Sequence, residues 1–174
     1  MMISISSSKN NATIVPYNKE WSLLYDKEAE KIKEVFGNFL VDIQHIGSTS
    51  IPGISTKPII DIAVMIESFK DADNFIVPLR SLDYEYVQTK SSSERHFFRK
   101  YKDQSYHLSI AYKDKGSFWE RQIFFRDYLR DHEDARKEYE DLKFKLLQED
   151  PTGLGKYISG KSEFIEKILS KKNL

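Results

Sequence analysis

Cysteine is absent from this 174-residue chain, which excludes disulfides, thiolate zinc sites and cysteine nucleophiles together. An excess of one charge is absent too. The 27 lysines and arginines cancel the 27 aspartates and glutamates, so nothing overall recommends nucleic acid or an anionic membrane as partner. No apolar run approaches the ~20 residues needed to span a bilayer. Met1 to Ala12, rich in Ser and Asn, has no long apolar centre and reads as a flexible terminus, not a signal peptide. Seven glycines and five prolines are too few for a low-complexity linker, and no internal repeat is visible. The expectation is a cytoplasmic protein in which residues 13–174 fold as one domain around a conventional core.

Periodicity divides that domain into an α/β core over residues 13–116 and a helical portion over 117–170. A short extended piece at Thr13 to Val15 precedes a helix that Asn18 caps and Gly37 stops, with Trp21, Leu24, Glu28, Ile32, Val35 and Phe36 at mostly helical spacing. Phe39 to Ile46 alternates as a strand, and Pro58 to Ile66 is a nearly continuous Ile/Val run of the kind buried on both faces of a sheet. A helix is expected from Ser68 to about Leu82, kinked or interrupted at Pro78. Three β segments follow at Tyr84 to Gln88, Phe97 to Lys102 and Ser105 to Tyr112. Helices are then expected over Phe118 to Leu129, Glu133 to Leu147 and Lys156 to Leu169.

The chemistry concentrates between the first two strands. Gly47 allows close approach of the backbone to a ligand, Ser48, Thr49 and Ser50 offer short hydroxyl donors, and a following helical turn would aim N–H groups at an anion. No Gly-Lys-Ser/Thr follows, so this is not a P-loop, and an ordinary strand-to-strand turn is the alternative. Asp61 sits among Ile59, Ile60, Ile62 and Val64. A carboxylate there calls for a metal, a cation or several donors, Lys57 among them. His107 shares a strand face with Ser109 and admits roles as base, metal ligand or phosphate donor, against that of a satisfied structural residue. Arg95, Arg99 and Lys100 cluster with Phe97, Phe98 and Tyr101, either as a binding surface or as a charged edge strand. Arg126 and Arg130, one helical turn apart, read as a cationic stripe or a salt-bridged surface. Lys161 falls among Tyr157, Phe164, Ile165 and Ile168, where it either snorkels outward or reaches an anion in a cleft.

Together, His45-Ile46-Gly47-Ser48-Thr49-Ser50-Ile51-Pro52-Gly53, Lys57-Pro58-Ile59-Ile60-Asp61-Ile62, Arg95-His96-Phe97-Phe98-Arg99-Lys100, Phe125-Arg126-Asp127-Tyr128-Leu129-Arg130 and Tyr157 with Lys161 resemble the GrpB family over about Ile14 to Leu169. That family also occurs as the extra C-terminal domain of some bacterial dephospho-CoA kinases. The resemblance implies an α/β (α+β) nucleotidyltransferase-like fold, a mixed sheet with flanking helices and a C-terminal helical segment. It implies that Gly47 and Ser48 begin the phosphate-binding element and that Asp61 is the first catalytic acid and a magnesium ligand. The superfamily's usual second acid lies two residues on, where this chain has Ala63, and its third falls near His107 and Ser109.

Two functional classes follow. One is a metal-dependent nucleotidyl or phosphoryl transferase, in which Asp61 holds magnesium, His107 assists, Gly47, Ser48, Thr49 and Ser50 bind phosphate, and Lys57, Arg95 and Lys161 offset its charge. The other is a noncatalytic nucleotide- or phosphate-binding interaction domain with a protein partner, the class that Ala63 favours.

Overall fold

The computed structural model describes residues 11–173. Most of the expected flexible segment, residues 1–10, lies outside the described residues. Ala12 is already tied down, its N–H donating to the Pro151 carbonyl oxygen at 2.9 Å. Val15 bridges Thr56.

Helix α1, Glu20–Phe36, begins where the Asn18 side-chain oxygen accepts the Glu20 N–H at 2.9 Å. It buries Trp21, Ala29, Ile32 and Phe36 on one face and ends at Gly37, whose φ of +50° suits glycine. A 3-10 turn over Gly37–Phe39 follows, so strand β1 (Asp42–Ile46) begins later than Phe39. Strand β2 spans Ile59–Ile66. The helix expected after it is a 3-10 segment, Phe69–Phe75, and a short helix α2, Ile76–Arg80. Pro78 sits in the first turn of α2, where a missing N–H costs little.

Strands β3 (Glu85–Tyr86), β4 (His96–Tyr101) and β5 (Ser105–Tyr112) complete a five-stranded sheet of order β1-β2-β5-β4-β3. Strands β2 and β5 run parallel and the remaining pairs antiparallel. The sheet is therefore the mixed one expected. Strand β4 lies between β5 and the two-residue β3, so it is not the charged edge its sequence allowed.

Period-2 alternation gives the sheet two different faces. One carries Ile60, Ile62, Val64, Ile66, Leu108, Ile110 and Phe98 into a core with Trp21, Ile32 and Phe36 of α1. The same face holds a buried ion pair. Lys100 donates to Glu28 at 2.7 Å, with side-chain exposures of 11% and 3%, and its ammonium lies over the Tyr84 and Tyr106 rings at 5.4 Å each.

On the opposite face lie Asp61, Ala63, His107 and Ser109, paired across β2 and β5 as Asp61 with His107 and Ala63 with Ser109. Helices α3 (Phe118–Asp131), α4 (Glu133–Glu149), α5 (Gly155–Ser159) and α6 (Ser162–Leu169) follow. Leu129, Tyr139, Phe164 and Ile168 pack on Ile51 and Ile54 of the β1–β2 loop. The single helix expected over Lys156 to Leu169 is broken between α5 and α6. A Cβ on Gly160 would come within 2.3 Å of a Leu146 methyl, so only glycine fits against α4 at the break. Among the described residues, no helix is long and apolar enough to cross a membrane.

Removing one partner of the buried pair should cost far more than removing both. Glu28→Ala is expected to destabilise the fold by about 3–5 kcal/mol. Glu28→Leu combined with Lys100→Met should restore most of that loss, both read from urea denaturation midpoints.

Candidate functional site

Gly47 leaves β1 with φ +70° and brings the loop backbone directly onto β2. A Cβ there would fall 2.3 Å from a carboxylate oxygen of Asp61 and 2.9 Å from its Cβ, so glycine is required by both conformation and space. The next three residues form a 3-10 turn, Ser48–Ser50. Its later N–H groups are used internally, Ser50 donating to Gly47 and Ile51 to Ser48 at 3.1 Å each. The expected helical cradle of N–H donors is thereby reduced to one short turn.

Two of the expected phosphate donors turn inward. The Thr49 hydroxyl donates to the Ile59 carbonyl at 3.2 Å and lies 3.0 Å from His45 Nε2; the imidazole is the donor in this pair because the hydroxyl proton is already engaged. Burial lowers His45 to about 4, so it stays neutral. The Ser50 hydroxyl donates to the Gly47 carbonyl at 2.5 Å and closes the turn. Thr49 and Ser50 thus shape the loop and do not face the cleft.

Arg126 and Arg130 hold that loop and share Asp127, at 2.7 and 3.7 Å, the salt-bridged arrangement that was one of the two expected. Arg126, buried, donates through Nη1 to the His45 carbonyl and the Gln44 side chain, both at 2.9 Å. Arg130 grips the Ser50 carbonyl with two nitrogens at 2.8 and 3.0 Å. Two guanidinium groups of α3 therefore fix both ends of the Gly47-Ser48-Thr49-Ser50 segment.

A cleft of about 450 Å³ opens on the second sheet face. Asp61, His107, Ser48, Lys57, Arg95 and Lys161 all line it, together with Lys90, Lys143, Phe97 and Tyr157. Asp61 is less buried than its Ile-rich surroundings implied, its side chain retaining 34% exposure. Its Oδ1 lies 3.3 Å from His107 Nδ1, and His107 Nε2 lies 2.8 Å from the Tyr101 hydroxyl. The Arg95 guanidinium stacks over Phe97 at 4.7 Å and Phe118 at 5.1 Å and donates to the Ser109 hydroxyl at 3.2 Å. Strand alternation separates it from Lys100, which serves the opposite core, while Arg99 pairs with Glu85 at 2.9 Å.

On the other side of the cleft, Lys57 and Lys161 lie over the Tyr157 ring at 4.8 and 4.6 Å. Lys57 donates to the Gly153 carbonyl at 3.1 Å and Lys143 to the Ser55 carbonyl at 2.6 Å. Lys161 thus reaches the cleft and does not snorkel away. Burial pushes Lys143 down to about 7, with Lys161 and Lys57 reinforcing the shift and Glu140 opposing it. Burial likewise lowers Lys161 to about 8, helped by Lys57 and opposed by Asp61. Burial also lowers Lys57 and Arg95, each opposed by Asp61.

Lys90 and Lys143 were not among the expected residues. Lys143 had a readable signal, since Ala135, Tyr139, Lys143 and Leu147 form one buried stripe of α4, the same pattern that marked Lys161. Lys90 sits in a 3-10 turn over Gln88–Lys90, where no periodicity identifies it. For magnesium, the protein offers Asp61 and His107, while Lys57, Arg95 and Lys161 all feel the Asp61 charge. One carboxylate and one imidazole amid these cations do not fit a preformed divalent site. Among the described residues, no group of three or more His, Cys, Asp or Glu side chains is placed to hold a metal.

Residues 11–171 match a family model described as GrpB protein. The chain is 33% identical over 168 residues to the glutamate-rich protein GrpB of Alkalihalophilus pseudofirmus, covering 94% of this chain and 97% of that protein. It is 35% identical over 158 residues to UPF0157 protein YqkA of Bacillus subtilis, covering 91% of this chain but 46% of that protein, so it spans about half the length of that relative. A dephospho-CoA kinase of Mycolicibacterium paratuberculosis matches over 74 residues at 31% identity, 41% of this chain and 18% of the kinase. A crystal structure of the conserved protein GrpB from Enterococcus faecalis superposes with a TM-score of 0.82 at 31% identity, covering 91% of this chain and 95% of that one.

Replacing Gly47 tests whether the loop must touch Asp61. Gly47→Ala is expected to lower stability by on the order of 1–3 kcal/mol through strain at positive φ and to displace the Asp61 side chain. Denaturant unfolding and a crystal structure of the variant would check both.

Proposed function

The chain belongs to the GrpB family, and from that premise we propose that its cleft binds a phosphorylated small molecule, a nucleotide foremost. The observation that carries this reading is the convergence of Lys57, Lys90, Arg95, Lys143 and Lys161 on one cavity with a single acid, Asp61. Formal charge over the whole chain is zero, so five cations in one cleft are a local concentration aimed at an anion. Partial desolvation strengthens each charge–charge interaction there relative to water.

The polar pair at the centre favours a second reading, that of a transferase. His107 lies between Asp61 and Tyr101, an arrangement suited to accepting a proton. In that reaction an acceptor hydroxyl takes the place of the Tyr101 hydroxyl at His107 Nε2 and attacks phosphorus, the bond to the leaving oxygen breaks, and Nε2 takes the hydroxyl proton while Asp61 holds Nδ1–H. The cations offset charge on the phosphoryl oxygens. Release of phosphate or pyrophosphate across a set of acceptors would support transfer; binding without release would leave an interaction domain.

Thermal denaturation with a panel of nucleotides and inorganic phosphates, with and without magnesium or manganese, tests binding directly. At least one should raise the melting temperature, and Lys161→Met should weaken binding about 10–100-fold, the loss of one charged hydrogen bond. A panel without any shift would remove the proposal.

The lowered lysines also give binding a pH dependence. Only the ammonium forms attract an anion, so affinity should fall as pH rises through about 7 and 8, where Lys143 and Lys161 lose their protons. A bound anion favours the protonated forms, so binding near pH 8 should take up protons, measurable by calorimetry in buffers of different ionisation heat. Affinity unchanged between about pH 6 and pH 9 would contradict this assignment.

A further inference from the structure

Accepting the phosphate-binding reading of the cleft, we infer that it takes a di- or triphosphate group, held without a divalent metal by protein cations grouped on two aromatic rings. The clusters are each organised on one aromatic ring. Lys57 and Lys161 lie over Tyr157, with Lys143 close enough to be influenced by both. Arg95 and Lys90 lie over Phe97, at 4.7 and 5.5 Å. Asp61 lies in the same cavity and its charge reaches both clusters.

A single phosphate satisfies one cluster. A chain of two or three phosphates can engage both groups at once. Stacking on the rings limits the freedom of the long side chains, so less entropy is lost when a ligand binds.

Among the described residues, Asp61 has one close side-chain partner, His107 at 3.3 Å, and no second carboxylate stands on its strand face to complete a metal site. Next to the Asp61–His107 pair on the same strand face stands the Ala63–Ser109 pair, which offers a methyl group and a hydroxyl. The guanidinium of Arg95 is bonded to that hydroxyl and packed between Phe97 and Phe118. Arginine supplies a fixed, permanently charged fork of donors that matches phosphate oxygens. It performs the charge neutralisation that elsewhere falls to magnesium. The role of Asp61 changes accordingly: facing a polyanion with no metal between them, its carboxylate repels the ligand and limits affinity.

Calorimetric titration of the full chain with tripolyphosphate, pyrophosphate, ATP, AMP and inorganic phosphate, in EDTA and again in excess magnesium, tests the inference. Tripolyphosphate, pyrophosphate and ATP should bind in EDTA at least about tenfold more tightly than AMP or phosphate, and magnesium should weaken them by neutralising the ligand. Asp61→Asn, close in shape to the native residue, should tighten tripolyphosphate binding both in EDTA and in excess magnesium, whereas a metal-anchoring Asp61 requires it to weaken binding in magnesium. Arg95→Lys should bind more weakly than the native chain while keeping its melting temperature.

Binding seen only with magnesium, or lost in Asp61→Asn, overturns the metal-free assignment while leaving phosphate binding intact. Equal affinity for phosphate and tripolyphosphate overturns the two-cluster assignment alone. No binding of any of the five in either medium overturns this inference and the reading on which it rests.

Discussion

The backbone of Gly47 lies against the carboxylate of Asp61, with no room between them for a single methyl group. The rest of the cleft is arranged around that contact. Because β1 and β2 are antiparallel neighbours in which Ile46 pairs with Asp61, the loop leaving β1 must turn across the start of β2. Arg126 and Arg130 then fix the turn from α3 through the carbonyls of His45 and Ser50. The helical portion is thus part of the site's construction. It supplies the grips on the loop from α3, Lys143 from α4, and Tyr157 and Lys161 from α5 and the segment after it.

Burying several lysines and an arginine in a half-enclosed space is unfavourable, and Lys143 and Lys161 are lowered first by burial and then by neighbouring lysines. Aromatic faces and backbone carbonyls offset part of it. The Tyr157 and Phe97 rings carry cations, and the Gly153 and Ser55 carbonyls accept from Lys57 and Lys143. None of these partners is a carboxylate, so the positive charge stays available to an incoming anion. Contrast the opposite sheet face, where Lys100 is paired with the buried carboxylate of Glu28.

Much of the fold was legible in the chain because burial imposes periodicity. The 105–112 strand falls where alternation put it, and Gly37 ends α1 where the apolar stripe stops. Where tertiary packing overrides local preference, legibility fails. The last helix is broken at Gly160, where a Cβ would meet Leu146 and the Lys156 carbonyl, and Pro78 lies in a first helical turn instead of kinking a longer helix. At the site, Gly47, Ser48, Asp61, Lys57, Arg95, His107 and Lys161 do meet in one region, whereas Thr49 and Ser50 look alike in sequence yet face inward.

By itself the sequence determined the order of an α/β core and a helical portion, the small-residue loop that precedes Asp61, and the motifs that resemble the GrpB family. Those features are encoded locally, in spacing and residue type within a few positions. The sign and shape of the cleft were decided only by tertiary structure. Lys57, Lys90, Arg95, Lys143 and Lys161 come from separate elements between residues 57 and 161. Their mutual proximity follows from how the helical portion packs on the loop and sheet, a long-range property that neither composition nor periodicity carries.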